Sequence, residues 1–286
     1  MATSSQGLAT GASSRGARGS ALRWSATLLV AASWVSAAIF GAYIILFFGG
    51  MAARGTTLRW NEALPALYDA RLPLAALAIG LHFITGGILL LLGPIQLIGA
   101  IRRAVPALHR WLGRAYVLSA GLAGLGGLGF IVSKGTIGGP LMDVGFGLYG
   151  ALMVLAATLA YAHARAGRPE RHRAWAIRLY ALTVGSWLYR MEYGFWFLTA
   201  GKFGHTSHFT GWFDMVMVFF FYLPNLAVAE LFIQARHSGH GSTLRLAAAT
   251  ALLTASVFVI VATWFFTAAY WGPGMVSGLT GAPLSQ

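Results

Sequence analysis

HARAGRPERHRAWAIRLY, running from His163 to Tyr180, is the stretch whose reading decides the fold. Its eighteen residues hold five Arg, one Glu and two His, in a chain where only 9% of residues are Asp, Glu, Lys or Arg. Apolar sequence flanks it on both sides for about twenty residues or more, the length that crosses a bilayer core of ~30 Å. A charged knot between two such runs reads as a loop at the water-facing end of two membrane helices.

Composition agrees. The hydrophobic fraction is 57% and the mean hydropathy is +0.69. Seven acidic and twenty basic residues cannot give 286 residues a soluble surface. The formal charge of +13 does not point to nucleic acid, because the basic residues sit in short loops between apolar runs. That placement orients the chain in a membrane, with the lipid bilayer and its anionic headgroups as partner. With no Cys, disulfides, thiolate metal sites, iron–sulfur clusters and cysteine nucleophiles are excluded.

The expected fold is all-α, a polytopic bundle of about seven spans in the cytoplasmic membrane. Residues 1–22, rich in Ser, Gly and Ala, read as a disordered tail, 23–271 as the transmembrane domain and 272–286 as a C-terminal tail. The spans are expected near Trp24–Phe48, Leu74–Ile98, Trp111–Val132, Leu141–Ala162, Trp175–Thr199, Trp212–Ile233 and Leu246–Trp271. The first is too long for the apolar part of a cleavable signal peptide and reads as a retained helix. The N-terminal tail and alternate loops hold 14 Lys and Arg against five on the other side, with Arg190 inside a span. This predicts a cytoplasmic N-terminus and an outer C-terminus.

The first outer loop, Ala52 to Pro73, carries Trp60, Leu64, Leu67 and Tyr68 at helical spacing with Asn61 as a cap. It reads either as a short surface helix or as an irregular loop. Gly121, Gly124, Gly126, Gly127, Gly129, Gly145, Gly147 and Gly150 suit close helix packing or the edge of a macrocycle. Pro94 and Pro224 are expected to kink their helices, with Gln96 and Asn225 satisfying freed backbone groups.

Two segments echo one another. His109-Arg110-Trp111-Leu112-Gly113-Arg114-Ala115-Tyr116 is matched by His172-Arg173-Ala174-Trp175-Ala176-Ile177-Arg178-Leu179-Tyr180, with one residue inserted. Arg at headgroups and Trp or Tyr in the aromatic belt explain most of this pattern. The repeated His suggests a second reading, two imidazoles from two helices bracketing the iron of a haem b.

The run His82-Phe83-Ile84-Thr85-Gly86 through Gly93-Pro94-Ile95-Gln96, the two echoing segments, and Leu223-Pro224-Asn225-Leu226 before Glu230 resemble an uncharacterised bacterial family carrying domain of unknown function 2306. The resemblance covers roughly His82 to Glu230, within a core expected at 74–235, and implies a helical membrane protein with no established activity. A more distant similarity is to b-561-type transmembrane cytochromes, which place His pairs on alternating helices. His109 and His172 fit one such pair; His82 finds no partner His in the outer half of the fourth span.

The remaining intramembrane polar groups are His82, Arg190, Glu192 and Asp214, expected at similar depth toward the outer side, with Glu230 toward the inner side. Ionisable groups at such depth face a partner or a wet cavity. They read either as one outward-facing pocket or as an Arg190–Asp214 ion pair beside a carbonyl-bonded His82. Glu230 is expected to meet Arg178 or Arg114. His205 with His208, and His237 with His240, have the His-x-x-His spacing of zinc ligands but no third ligand nearby, and read as surface His.

A retinal protein needs a Lys in its last span, yet Lys134 and Lys202 lie in outer loops. Seven-span zinc hydrolases need His in the last span, which has none. Two functions remain: haem-based electron transfer through His109 and His172 with a redox partner, and a cofactor-free transporter, sensor or accessory subunit using His82 and Arg190 on a small molecule.

Overall fold

The computed structural model describes residues 5–63, 68, 69, 71, 73–236 and 242–284. The described elements are helices, with no strand among the described residues. In chain order they are α1 (Ser5–Tyr43), α2 (Gly50–Ala53), α3 (Trp60–Ala63), α4 (Pro73–Leu97), α5 (Gly99–Ala104), α6 (Pro106–Lys134) and α7 (Gly139–Arg165). There follow α8 (Pro169–Thr183), α9 (Gly185–Ala200), α10 (Trp212–Phe220), α11 (Leu223–Ala235), α12 (Ser242–Phe266) and α13 (Gly272–Thr280). Wider π-helical turns at Ile44–Gly49 and Thr267–Trp271 continue α1 and α12. Helices dominate because hydrocarbon leaves backbone N–H and C=O groups no partner outside their own segment. Pro stands in the first turn of α6, α7, α8, α11 and α13, where its missing N–H costs no helical bond.

Among the described residues six stretches are long and apolar enough to cross a membrane: Ser20–Ala53, Gly80–Leu97, Pro106–Lys134, Gly139–Arg165, Trp212–Ala235 and Thr243–Thr280. Their outward faces are apolar too, with Val35, Ile84, Leu125, Val144 and Trp264 exposed on the bundle's surface. Missing from the six is the expected span Trp175–Thr199, which the structure divides at Val184 into helices of 15 and 16 residues. This segment also carries Arg178, Arg190 and Glu192, whose charges dilute its apolarity.

Among the described residues two large cores fill the bundle, beside two smaller buried clusters around Leu252 and Phe47. One joins α4, α6, α7, α8, α9 and α10 through Leu89, Tyr116, Met153, Leu182, Tyr193 and Met217, among others. The second joins α1, α4, α9 and α12 through Phe40, Leu90, Trp187, Met191, Val259 and Phe266. Helices α4 and α9 therefore contribute to both, and the seam between the cores runs along them. Only some glycines serve close packing. A Cβ at Gly124 would stand 3.0 Å from the Gly150 carbonyl oxygen, so α6 and α7 cross there at backbone contact, and Gly145 lies against Val218 of α10. Gly121, Gly126, Gly127, Gly129 and Gly147 have open space around them.

Three local features bear on the expected tails and first loop. Helix α1 begins at Ser5, ahead of the expected first span. Residues 272–280 are likewise helical; α13 lays Gly274 and Gly278 against Tyr43 and the Leu46 carbonyl, as a small-xxx-small face allows. In the first loop Trp60–Ala63 forms one short α-helical turn, and residues 64–67 lie outside the described ones. Asn61 is not a cap there: its side chain exchanges two hydrogen bonds with the Tyr68 backbone, at 2.8 and 3.0 Å.

Candidate functional site

The broken segment positions the site. At the α8–α9 joint the Tyr149 hydroxyl of α7 donates to the Leu182 carbonyl at 2.8 Å. Thr183 bonds Tyr116 of α6 at 2.7 Å and donates to the Tyr180 carbonyl at 2.9 Å. A second interruption separates α10 from α11 at Phe221 and Tyr222, ahead of Pro224. Asn225 donates to the freed Phe221 carbonyl at 2.7 Å, the repair its sequence position suggested. The two joints touch, since a Cβ on Gly185 would lie 3.2 Å from the Phe221 oxygen. Broken helices inside a bundle place unwound backbone where it lines a cavity or meets protein donors.

A cavity of about 50 Å³ lies beside the α8–α9 joint, on the seam between the two cores. Its walls are mostly apolar: Phe40 and Ile44 of α1, Phe83 and Leu90 of α4, Met153 of α7 and Trp187 of α9. Gly86 and Gly87 leave the α4 wall bare, because no atom stands within 4 Å of where either Cβ would be. His82 and Arg190 supply the ionisable groups. Both are half-buried side chains that line the cavity.

Arg190 is the unusual member. Its Nη1 donates to the Ser186 carbonyl one turn back, at 2.9 Å. Tyr43, Tyr149 and Tyr189 are its electrostatic neighbours. No carboxylate joins it, and all seven acidic residues can be placed. Glu62 pairs with Arg59, Asp69 with Arg71 and Glu230 with Arg178. Asp143 accepts from the Thr136 N–H, Glu170 lies near Arg173 in the first turns of α8, and neither Glu192 nor Asp214 reaches the chamber. A guanidinium carries five N–H donors. Here the Nε and Nη2 edge has no acceptor among the described residues. The His82 ring likewise makes no hydrogen bond among them.

The expected four-residue pocket is thus half assembled. His82 and Arg190 meet, whereas Asp214 and Glu192 stand elsewhere. Asp214 is completely buried and accepts from Tyr193 Oη at 2.8 Å, His205 Nδ1 at 2.7 Å, and the N–H groups of Thr206 and Gly211 at 3.0 and 2.9 Å. It ties the 201–211 loop to the start of α10, so the Arg190–Asp214 pair does not form. His205 is consequently a buried partner of Asp214, with 11% of its side chain exposed, and not a surface His. His208 only meets Ser207 nearby, while His237 and His240 lie outside the described residues. Glu192 projects from the other side of α9, since two residues turn a helix by about 200°. Its Oε2 is buried without a hydrogen-bond partner. Glu230 meets Arg178 at 2.6 Å, one of the two arginines anticipated for it.

The echoing segments share geometry as well as sequence. Arg114 lies over Trp111 and Arg178 over Trp175, each 4.8 Å from the ring centroid. Tyr116 and Tyr180 both pack on Gly93 of α4, where an added Cβ would meet their rings at 3.2 and 2.9 Å. His109 and His172 are electrostatic neighbours. The hydrogen bonds at His109, though not those at His172, run against iron ligation. His172 Nδ1 donates to the Ala160 carbonyl at 2.9 Å, leaving its Nε2 bare. Gln96, in the orientation that satisfies its surroundings, donates to His109 Nδ1 at 3.1 Å and accepts from the Gly113 N–H at 3.2 Å. A neutral His109 then carries its proton on Nε2, the nitrogen an axial ligand needs bare. The haem reading finds no support here, nor does the likeness to b-561-type cytochromes. Gln96 also departs from expectation, bridging α4 to α6 instead of repairing the backbone around Pro94, which α4 carries unbroken.

Sequence reasoning missed the supporting cast of the chamber: Tyr149, Ser186 and Trp187, and the paired glycines at 86 and 87. The glycine pair, one helical turn after His82, is the one local signal that pointed there. Among the described residues, no group of three or more His, Cys, Asp or Glu converges as a metal site would require. A family model described as a predicted membrane protein (DUF2306) matches residues 79–233, which include His82, Arg190, both helix joints and the echoing segments. No curated protein and no solved structure matches the chain.

Proposed function

The chain belongs to the DUF2306 family of predicted membrane proteins, and from that premise we propose that it binds a small polar molecule inside its bundle, as a transporter or sensor does. One observation carries this reading. Arg190 presents an unused guanidinium edge to a chamber beside two broken helices, and no acidic residue of the chain neutralises it. A buried cation without a partner is costly, and in membrane bundles such groups face substrate or ion pathways. Broken helices at a ligand site are the device by which transporters expose backbone dipoles inside the membrane. Counting α8–α9 as one crossing gives seven passes. The excess of Lys and Arg around Arg102–Arg114 and Arg165–Arg178 then sets that face toward the cytoplasm of a cell membrane.

The absence of Cys from the chain permits a clean test. Gly86→Cys places one thiol on the bare chamber wall, and Leu125→Cys places one on the outer surface, where Leu125 is 57% exposed. A small water-soluble methanethiosulfonate reagent is expected to label Gly86→Cys in membranes and to leave Leu125→Cys unlabelled. Equal labelling of the two would overturn the reading, because the chamber would then be no more open to polar solutes than the lipid face.

A further inference from the structure

We propose that the chamber's ligand is a small monoanion, held by the side-on edge of Arg190. This rests on the small-molecule reading above and names the chemical class that the site accepts.

Charge gives the first argument. The chamber holds one fixed cation, Arg190, and no carboxylate faces it. A ligand with one negative charge neutralises the site inside a low-dielectric bundle. A neutral ligand leaves Arg190 uncompensated, a cation adds a second positive charge, and a dianion leaves a net negative charge against Phe, Leu and Trp.

Geometry gives the second. With Nη1 engaged by the Ser186 carbonyl, the free donors are Nε–H and the Nη2 hydrogens. These form the planar edge that takes two oxygens of a carboxylate, or of a nitrate, in parallel hydrogen bonds. His82, with its ring nitrogens free of other partners and facing the same cavity, can donate a further bond. The Trp187 Nε1–H has no acceptor among the described residues but is itself buried, while the hydroxyls of Tyr149 and Thr183 already donate to the Leu182 and Tyr180 carbonyls. They offer lone pairs, not further donors, so the anion's recognition falls to Arg190 and His82.

Size gives the third. About 50 Å³ admits roughly three to five non-hydrogen atoms, at ~10–15 Å³ of free space for each water-sized unit. Acetate, propionate, nitrate and chloride fit that allowance. The apolar walls from Phe40, Ile44 and Leu90 suit a short alkyl end more than a second charged group.

The test uses the full chain carrying Gly86→Cys in membranes, in gluconate buffer, whose anion is too large for the chamber. The labelling rate by a neutral thiol reagent is read with acetate, propionate, nitrate, chloride, succinate, phosphate, glycerol or methylammonium added. Small monoanions are expected to slow labelling about tenfold at a concentration ~10 times their Kd. Succinate, phosphate, glycerol and methylammonium are expected to leave it unchanged. Protection by acetate and propionate beyond chloride identifies a carboxylic acid as the source, and the reverse identifies an inorganic anion. Adding Arg190→Gln should abolish protection. Adding Arg190→Lys, which keeps the charge without the fork, should weaken protection by acetate more than by chloride. Equal protection by glycerol or succinate, or protection that survives Arg190→Gln, would overturn the proposal. Labelling that no monoanion slows would overturn the ligand class while leaving an open chamber. Failure of Gly86→Cys to label at all would overturn both.

Discussion

Asp214, fully buried, and Arg190, half-buried against a cavity, are ionisable groups on adjoining parts of one bundle, and the protein treats them in opposite ways. The Asp214 carboxylate, on the first turn of α10, collects four donors from α9 and the 201–211 loop. The Arg190 guanidinium, with more donors to place, gives one to a backbone carbonyl on its own helix and turns the rest to a cavity. A satisfied network fixes geometry, and breaking it leaves several buried partners stranded at once. An unsatisfied group keeps its interaction energy in reserve for something that arrives later. The first arrangement is a lock and the second a receptor, and substitutions at the two positions should move stability in opposite directions.

The lock should break hardest. Asp214→Ala leaves the Tyr193 hydroxyl, the His205 ring and two N–H groups without an acceptor in a site that has no exposure. Removing one partner from a buried charged network costs about 3–5 kcal/mol. Thermal unfolding in detergent should show a large drop in Tm, with His205→Ala losing less because three of the four donors remain. A Tm for Asp214→Ala equal to that of the parent would show that the loop is held by something else.

The receptor should respond with the reverse sign. Arg190→Leu replaces an unneutralised half-buried cation by an apolar side chain among Phe40, Met153 and Trp187. Such exchanges are neutral or stabilising by about 1–4 kcal/mol, so Tm should hold or rise in ligand-free detergent. Stabilisation by added ligand should vanish together with the charge. A fall in Tm as deep as that of Asp214→Ala would mean that Arg190 is structural and that the contrast between the sites is false.

What sequence could and could not reveal follows the same division. Apolar runs of spanning length announced the bundle, because the bilayer imposes length and composition on each segment independently. The joint at Val184 was less legible. The run Trp175–Thr199 has spanning length, and only its charges and the Gly185–Ser186 pair hinted that it would not continue as one helix. Partner choice was the least legible. Asp214 looked free for Arg190, since nothing local said that the 201–211 loop folds back; it does so through positive φ at Gly201, Gly204 and Phe209. Gln96 was assigned to its own helix because it follows Pro94 so closely, whereas it crosses to α6. Local pattern specifies faces and lengths; which polar group meets which is decided by packing between distant segments.

The smallest effect expected lies at the clamp where α13 meets the first loop. Arg54 donates to the Gly278 and Leu279 carbonyls, and Arg59 donates to Gly281 and Ala282 while bonding Glu62 at 2.6 Å. The Arg59 hydrogen bonds hold the Glu62 carboxyl below its ordinary value. A carboxyl with a lowered folded pKa contributes its stability fully above the unfolded value of ~4.3, and loses it as pH falls through the lower folded value. Both charges are partly exposed, so water screens the pair and the effect is modest. Unlike the Asp214 lock, this clamp should therefore open reversibly. Hydrogen exchange across Gly272–Thr280, corrected for its intrinsic pH dependence, should be faster at pH 3 than at pH 6. Glu62→Gln should exchange at the faster level at both. If the variant keeps the parent's pH response, the carboxyl of Glu62 is not what holds Arg59 in the clamp.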